Sequence, residues 1–164
     1  EELRARGWSA AALDRAAGVL YDPGISIARE ALLAAALRAA TAMHDPTEGG
    51  LATGLRELAG ASGVGLRVWG ERIPLLMEGA ALCAAFGLDP LGALASGSLL
   101  LSVSPGRHSE LMAAYAAEGI PCAEIGEVVP AEDGLVLIER GRERELPVFE
   151  RDELARLWTV ASPP

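Results

Sequence analysis

The spacing of apolar residues changes along this chain, and the changes limit the folds open to it. Over 9–20 apolar residues recur at helical intervals, with Ser9 as the candidate N-cap. Over 25–42 a longer block carries Ile25, Ala28, Leu32, Ala35 and Ala39 on one stripe. At 64–69 the period falls to two: Val64, Leu66 and Val68 face one way, Gly65, Arg67 and Trp69 the other. At 98–103 the apolar run is nearly continuous, as for a strand covered on both faces. Further helices are predicted over 46–61, over 74–86 with Gly87 as C-terminal cap, and over 109–118 after a Pro105-Gly106 turn. Asp89-Pro90 opens a short helix, 123–129 and 135–139 read as strands, and 150–157 as a last short helix. Helices followed by alternating strands and helices define an α/β (α+β) domain with one mixed sheet and helices packed on it.

With 164 residues the chain suffices for one domain and is short for two. Its 51% hydrophobic and 23% charged residues are those of a globular core. No apolar run reaches the roughly 18 residues of a membrane span, and no signal peptide is visible, so a cytoplasmic location is expected. A net charge of -9 disfavours nucleic-acid binding through a basic face. All basic residues are Arg, and Lys, Asn and Gln are absent, which removes a P-loop lysine, a Schiff-base lysine and an amide-lined oxyanion hole. The same poverty in amides fits a heat-adapted source or a GC-rich genome. Cys83 and Cys122 lie in no CxxC pair, and His44 and His108 have no spaced carboxylate cluster, so no metal site is expected. His108 reads as a solvated turn residue, and Arg140, Arg142 and Arg144, alternating with Gly141, Glu143 and Glu145, as a solvated hairpin.

The segment richest in chemistry is Met43-His44-Asp45-Pro46-Thr47-Glu48-Gly49-Gly50-Leu51. Asp45 suits an N-cap, Pro46 the first helical position, and Glu48 the third residue of a capping box. His44 beside Asp45 offers a general base with an orienting carboxylate, although adjacent residues at a helix start seldom face each other. The glycine pair resists the capping account, because each glycine in a helix costs about 1 kcal/mol relative to Ala. Either a neighbouring backbone or a ligand comes too close for a Cβ, or an anion uses the free N–H groups of the helix start. With Asp45 and Glu48 already present, such an anion needs Mg²⁺ or an Arg to share the site.

The segments Pro23-Gly24-Ile25-Ser26, Asp45-Pro46-Thr47-Glu48-Gly49-Gly50-Leu51-Ala52, Ser62-Gly63-Val64-Gly65, Ile73-Pro74, Gly87-Leu88-Asp89-Pro90-Leu91, Gly97 and Ile125-Gly126-Glu127-Val128 occur in a specific order. In that order the chain resembles the C-terminal domain of the aminoimidazole-ribonucleotide-synthase (AIR synthase) superfamily, nearest its hydrogenase expression/formation type. The resemblance covers most of the chain and implies a three-layer α/β/α domain spanning 1–164. It implies an N-terminal ATP-binding domain elsewhere, which dimerises, carries Mg²⁺ and ATP, and is closed over by this one. The implied chemistry is phosphorylation of an oxygen by ATP. The implied nucleotide- or substrate-facing residues are Asp45, Thr47, Glu48, Gly49, Gly50, Ser96 and Gly97.

The chain also departs from that pattern. His44 and Glu48 stand where the hydrogenase-maturation dehydratases have Arg, and Ser96 where they have a glutamate. The chain ends Ser162-Pro163-Pro164 rather than in their terminal cysteine. A paralogue with another substrate is therefore expected, and a ligand-sensing or protein-interaction module without catalysis is the alternative. The start at Glu1, without Met and inside a helical segment, is expected of a domain taken from a longer polypeptide. Loss of its partner domain would bare an apolar surface and favour self-association, including a homodimer.

Overall fold

The computed structural model describes residues 2–159. After a single turn, α1 (Glu2–Ala5), the side chain of Ser9 accepts the Ala12 N–H at 3.2 Å and opens α2 (Ala10–Gly18). The next helix, α3 (Ala28–Ala36), is shorter than its alanine-rich sequence predicts. Arg38 adopts a left-handed φ of 51° and ends it, and the chain turns into β1 (Ala40–His44). Helix propensity is a weak preference, and here pairing outweighs it. Ala40, Ala42, Met43 and His44 lie opposite Val103, Ser102, Leu101 and Leu100 of β3 (Leu100–Val103) in an antiparallel ribbon.

The other strands form a four-stranded mixed sheet, so the α/β class with a mixed sheet holds. Its order is β4 (Gly126–Val129), β2 (Gly65–Trp69), β5 (Leu135–Glu139), β6 (Arg142–Glu145). The β2–β5 pair is parallel, and β4 and β6 are antiparallel to their neighbours. The β1–β3 ribbon stands apart from this sheet. Between them lies a groove lined by Thr41 and Ser102 on one side, Leu66 and Val128 on the other, and Leu58 and Ser62 of α4 (Gly50–Ser62).

Two main cores follow from this division. Ala52, Leu55 and Ala59 on α4 pack against Leu66, Val68 and Leu137 of the sheet. Leu137 and Leu146 are 0% and 1% exposed, and each such burial is worth about 1.5–3 kcal/mol. The second core joins Ala34 of α3 to Leu111 and Tyr115 of α6 (Pro105–Ala117), with Leu101 and Val103 of the ribbon packed on it. α3 and α6 cap one another. The Arg29 guanidinium donates to the Glu118 carbonyl at 2.7 Å, Arg107 donates to the Leu37 carbonyl, and the Tyr115 hydroxyl donates to the Glu30 carbonyl at 2.9 Å. A cation on the orphan carbonyls of a helix end satisfies both their hydrogen bonding and the helix dipole.

The expected Pro105-Gly106 turn is instead the first turn of α6, a position that tolerates proline's missing N–H. α5 (Met77–Phe86) ends at left-handed Gly87, and Asp89 accepts the Leu91 N–H over the short turn Pro90–Gly92, both as predicted. The last predicted helix is a 3-10 turn, Glu153–Ala155, followed by α7 (Arg156–Thr159). Ser162, Pro163 and Pro164 lie outside the described residues.

Candidate functional site

β1 ends at His44, and the next five residues make the turn into α4. The capping-box arrangement does not form. The helix starts at Gly50, with Gly49 in the N-cap position and no side-chain cap from Asp45. Asp45, Thr47 and Glu48 are exposed and Pro46 is buried. The Thr47 hydroxyl donates to the Asp45 carbonyl at 3.0 Å, and the Thr47 carbonyl accepts the N–H groups of Gly50 and Ala95 at 3.2 and 3.1 Å.

Both glycines have left-handed φ, 75° and 67°. The backbone reading of the pair holds at Gly50. A Cβ there would lie 2.5 Å from the Leu91 carbonyl oxygen and 2.6 Å from that of Ala93. The N–H of Gly49 is also engaged within the chain: it donates to Asp152 Oδ2 at 2.9 Å, while Asp152 Oδ1 accepts the Leu154 N–H at 2.8 Å. Beside it, Glu153, 8% exposed, accepts the Asp89 N–H at 3.0 Å and pairs with Arg156 at 2.7 Å. The turn before α4 is thus held by the 91–93 backbone and by a carboxylate from the end of the chain. That carboxylate takes the Gly49 amide, one of the donors that a helix start offers to an anion.

Ser96 and Gly97 lie on a second exposed loop, tied to the first through the Ala95 to Thr47 hydrogen bond. A Cβ on Gly97 would come 3.0 Å from the Gly24 carbonyl oxygen, which brings in a third loop. The three loops are therefore neighbours. Asp45, Thr47, Glu48 and Ser96 are exposed polar residues on them, and Tyr21, Ile25 and Leu94 exposed apolar ones, at 84%, 55% and 47% exposure. Asp45, Thr47, Glu48, Gly49 and Gly50 thus lie on the first loop and Ser96 and Gly97 on the second, Gly49 and Gly50 being buried and the glycines presenting no side chain.

His44 is held differently from its sequence neighbourhood. Its Nε2 lies 2.8 Å from Glu57 Oε2, whereas Nδ1 is 4.0 Å from Asp45 Oδ1. Gly54 leaves room for the ring: a Cβ there would lie 3.3 Å from His44 Cδ2 and 2.6 Å from Pro46 Cβ. Glu57 and Asp152 escaped the sequence reading. Glu57 becomes visible only once α4 is known to start at Gly50, two turns before it. Asp152 is 103 residues from its partner, and no local pattern marks it. His108 sits in the first turn of α6, with Nε2 3.1 Å from Glu124 Oε2. Among the described residues no group of three His, Cys, Asp or Glu is placed to hold a metal ion, and no helix is long and apolar enough to cross a membrane.

The family described as AIR synthase related protein, C-terminal domain, matches residues 13–138, and the chain belongs to it. It is similar to the carbamoyl dehydratase HypE of Rhizobium leguminosarum bv. viciae, 42% identical over 96 residues, covering 57% of this chain and 27% of that protein. Among solved structures, E. coli HypE, a hydrogenase maturation protein, superposes with a TM-score of 0.70 at 26% identity, covering 80% of this chain and 42% of that one. Hydrogenase maturation protein HypE in complex with ATP superposes with a TM-score of 0.60 at 31% identity, covering 67% of this chain and 36% of that one. The chain spans between about a quarter and under half the length of these relatives.

Proposed function

We propose that this chain is the C-terminal domain of an ATP-using enzyme of the HypE-like type, and that its three-loop face closes over a nucleotide and substrate cleft completed by an N-terminal ATP-binding domain. Family membership and the likeness to a HypE that binds ATP support this reading. The observation that carries it is the hydrogen bond from Ala95 to Thr47, which joins the loop bearing exposed Asp45, Thr47 and Glu48 to the loop bearing exposed Ser96 and Leu94, next to the loop of exposed Tyr21 and Ile25. That mixture suits a surface meeting both another domain and a polar ligand.

The donor set limits the ligand. Carboxylate and hydroxyl oxygens are ligands for Mg²⁺, while two carboxylates without a cation repel a bare triphosphate. The residues therefore fit a nucleotide that arrives with its Mg²⁺, the remaining ligands coming from the phosphates and the partner domain. In this reading Asp45 and Glu48 face the metal side, Thr47 and Ser96 donate to phosphate or substrate oxygens, and Gly49 and Gly50 set the close approach of the turn. Phosphorylation of a substrate oxygen is the reaction assigned, in a cytoplasmic enzyme that dimerises through its N-terminal part.

Calorimetric titration of Mg²⁺–ATP tests the division of labour. Weak or absent binding is expected for this chain and tight binding for the polypeptide that includes the upstream domain. Equally tight binding to this chain alone overturns it. A non-catalytic sensing module of the same fold is favoured by one observation, the closure of the Gly49 amide by Asp152. Tight nucleotide binding by the longer polypeptide without turnover or phosphoryl transfer identifies that case.

A further inference from the structure

α4 presents two residues to the His44 ring, and together they decide which of its nitrogens is free. Gly54 lies against the ring, where a Cβ would come 3.3 Å from His44 Cδ2. Glu57 meets the ring edge, with Oε2 2.8 Å from Nε2. Residues three apart share a helix face, so one face of α4 supplies both contacts. On the strand side the His44 backbone is paired with Leu100, which is 7% exposed. A strand, a glycine and a carboxylate thus hold the ring from three directions.

An ionised carboxylate only accepts hydrogen bonds, so the nitrogen facing Glu57 carries the proton. A neutral imidazole has a single N–H, which leaves Nδ1 as an acceptor. Nδ1 faces Asp45, with Oδ1 4.0 Å away. That distance is longer than a hydrogen bond, and among the described residues Nδ1 has no nearer partner. An oxygen that carries a proton fits between two acceptors at that separation. A base with a hydrogen-bonded carboxylate behind it and an open lone pair in front is the arrangement that takes a proton from a nucleophile. The sequence offered Asp45 as the orienting group; the structure gives that place to Glu57.

We propose that Glu57 positions His44 as the general base of this site, and that the oxygen phosphorylated is that of a neutral hydroxyl. The inference rests on the nucleotide reading of the neighbouring loop. The acceptor O–H enters between Nδ1 and Asp45, and its proton passes to Nδ1. The oxygen forms its bond to the γ-phosphorus of ATP as the bond from that phosphorus to the β,γ-bridging oxygen breaks, and ADP leaves with that electron pair. Asp45 and Glu48 are both exposed carboxylates, which disfavour an acceptor that is already an anion. An ionised acceptor also needs no base, so both features select a hydroxyl. His44 is the catalytic residue of this scheme and Glu57 a positioning residue.

Two measurements test it. In this chain, isotope-labelled at its two histidines, ring-nitrogen spectra report which nitrogen is protonated, and a His108→Gln variant assigns the signals. His44 is expected to carry its proton on Nε2, with slow exchange. That slow exchange should persist in Glu57→Gln, which still offers an acceptor, and vanish in Glu57→Leu. A His44 ring protonated on Nδ1 overturns the proposal. In the polypeptide that includes the upstream domain, ADP release from Mg²⁺–ATP is followed with water and with glycerol as acceptor. His44→Gln and Glu57→Leu should lower kcat about 100-fold or more, with KM for ATP changed less than about threefold and the melting temperature held. Glu57→Gln should recover most of the rate. Unchanged kcat in His44→Gln, with nucleotide still bound, overturns this inference and leaves the nucleotide reading standing. Absence of nucleotide binding by the wild-type polypeptide overturns that reading and this one with it, and binding without ADP release overturns the assignment of a base.

Discussion

Replacing Gly50 by alanine separates two costs that the structure superimposes at the start of α4. The first is conformational: at φ 67° a Cβ crowds its own backbone, which costs about 1–2 kcal/mol. The second is contact: the new carbon would lie 2.5 and 2.6 Å from two carbonyl oxygens of the 91–93 segment, and relieving such an overlap costs about 1–3 kcal/mol. Gly63, the C-terminal cap of the same helix, is the control. Its φ is 65°, and a Cβ there meets nothing within 4 Å, so Gly63→Ala carries the first cost alone. Chemical denaturation should show a loss of about 1–2 kcal/mol for Gly63→Ala and about 2–5 kcal/mol for Gly50→Ala. For a domain of this size each kcal/mol lowers the melting temperature by about 2–4 °C. Equal losses in the two variants would mean that the loop across from Gly50 yields freely, and the close approach would then explain nothing about the glycine.

Asp152→Ala removes the acceptor from both the Gly49 and Leu154 amides; a loss of about 0.5–2 kcal/mol is expected, with faster hydrogen exchange at Gly49, and unchanged exchange there would refute the link. Burial, together with the nearby Cys122 and Glu30, pushes the Tyr115 phenol up to about 12. The unfolded chain gives up this proton near pH ~10, so the folded form binds more protons between those values and stability falls as pH rises from ~10 through about 12; in a Tyr21→Phe background, which leaves Tyr115 as the one tyrosine, tyrosinate absorbance appearing near pH ~10 before unfolding would contradict this. Burial and the carboxylates of Asp89, Glu153 and Asp152 push the Cys83 thiol up, and it is 6% exposed. An aromatic disulfide reagent should therefore modify exposed Cys122 in the folded protein and Cys83 only on unfolding; equal rates would refute the burial argument.

Local chemistry was legible where one residue decides it. Ser9, Gly87 and Asp89 each act within three residues of their partners, and each was read correctly. The alternation of Val64, Leu66 and Val68 placed β2, because a half-buried strand has to expose every second residue. β1 was hidden. Ala-Thr-Ala-Met-His carries no strand signal of its own, and only pairing with β3 about 60 residues later makes it extended. The start of α4 was misplaced because Asp-Pro-Thr-Glu is a complete capping signal, and the backbone crossing at 91–93 overrides it. The three-loop face came from the family likeness. Its two long-range supports, Asp152 on Gly49 and Glu57 on His44, depend on tertiary contact and leave no periodic trace.

The charges around the Gly49 turn decide what the proposed face can accept. A helix start ordinarily draws anions through its free amides and its dipole. Here Asp152 already supplies an anion to the Gly49 amide, and Asp45 and Glu48 on the same turn are exposed. A unit charge brought within 4 Å of one such carboxylate is repelled by about 4 kcal/mol at a surface-like dielectric. Two carboxylates therefore outweigh the attraction of the remaining amides, which is about 1 kcal/mol. The resemblance implies Arg in the dehydratases at the positions of His44 and Glu48, and a carboxylate at position 48 carries the opposite charge. On the proposed reading this chain has exchanged direct capture of phosphate by guanidinium for capture through a divalent cation, and chelation of Mg²⁺ should abolish nucleotide binding by the longer polypeptide rather than merely weaken it.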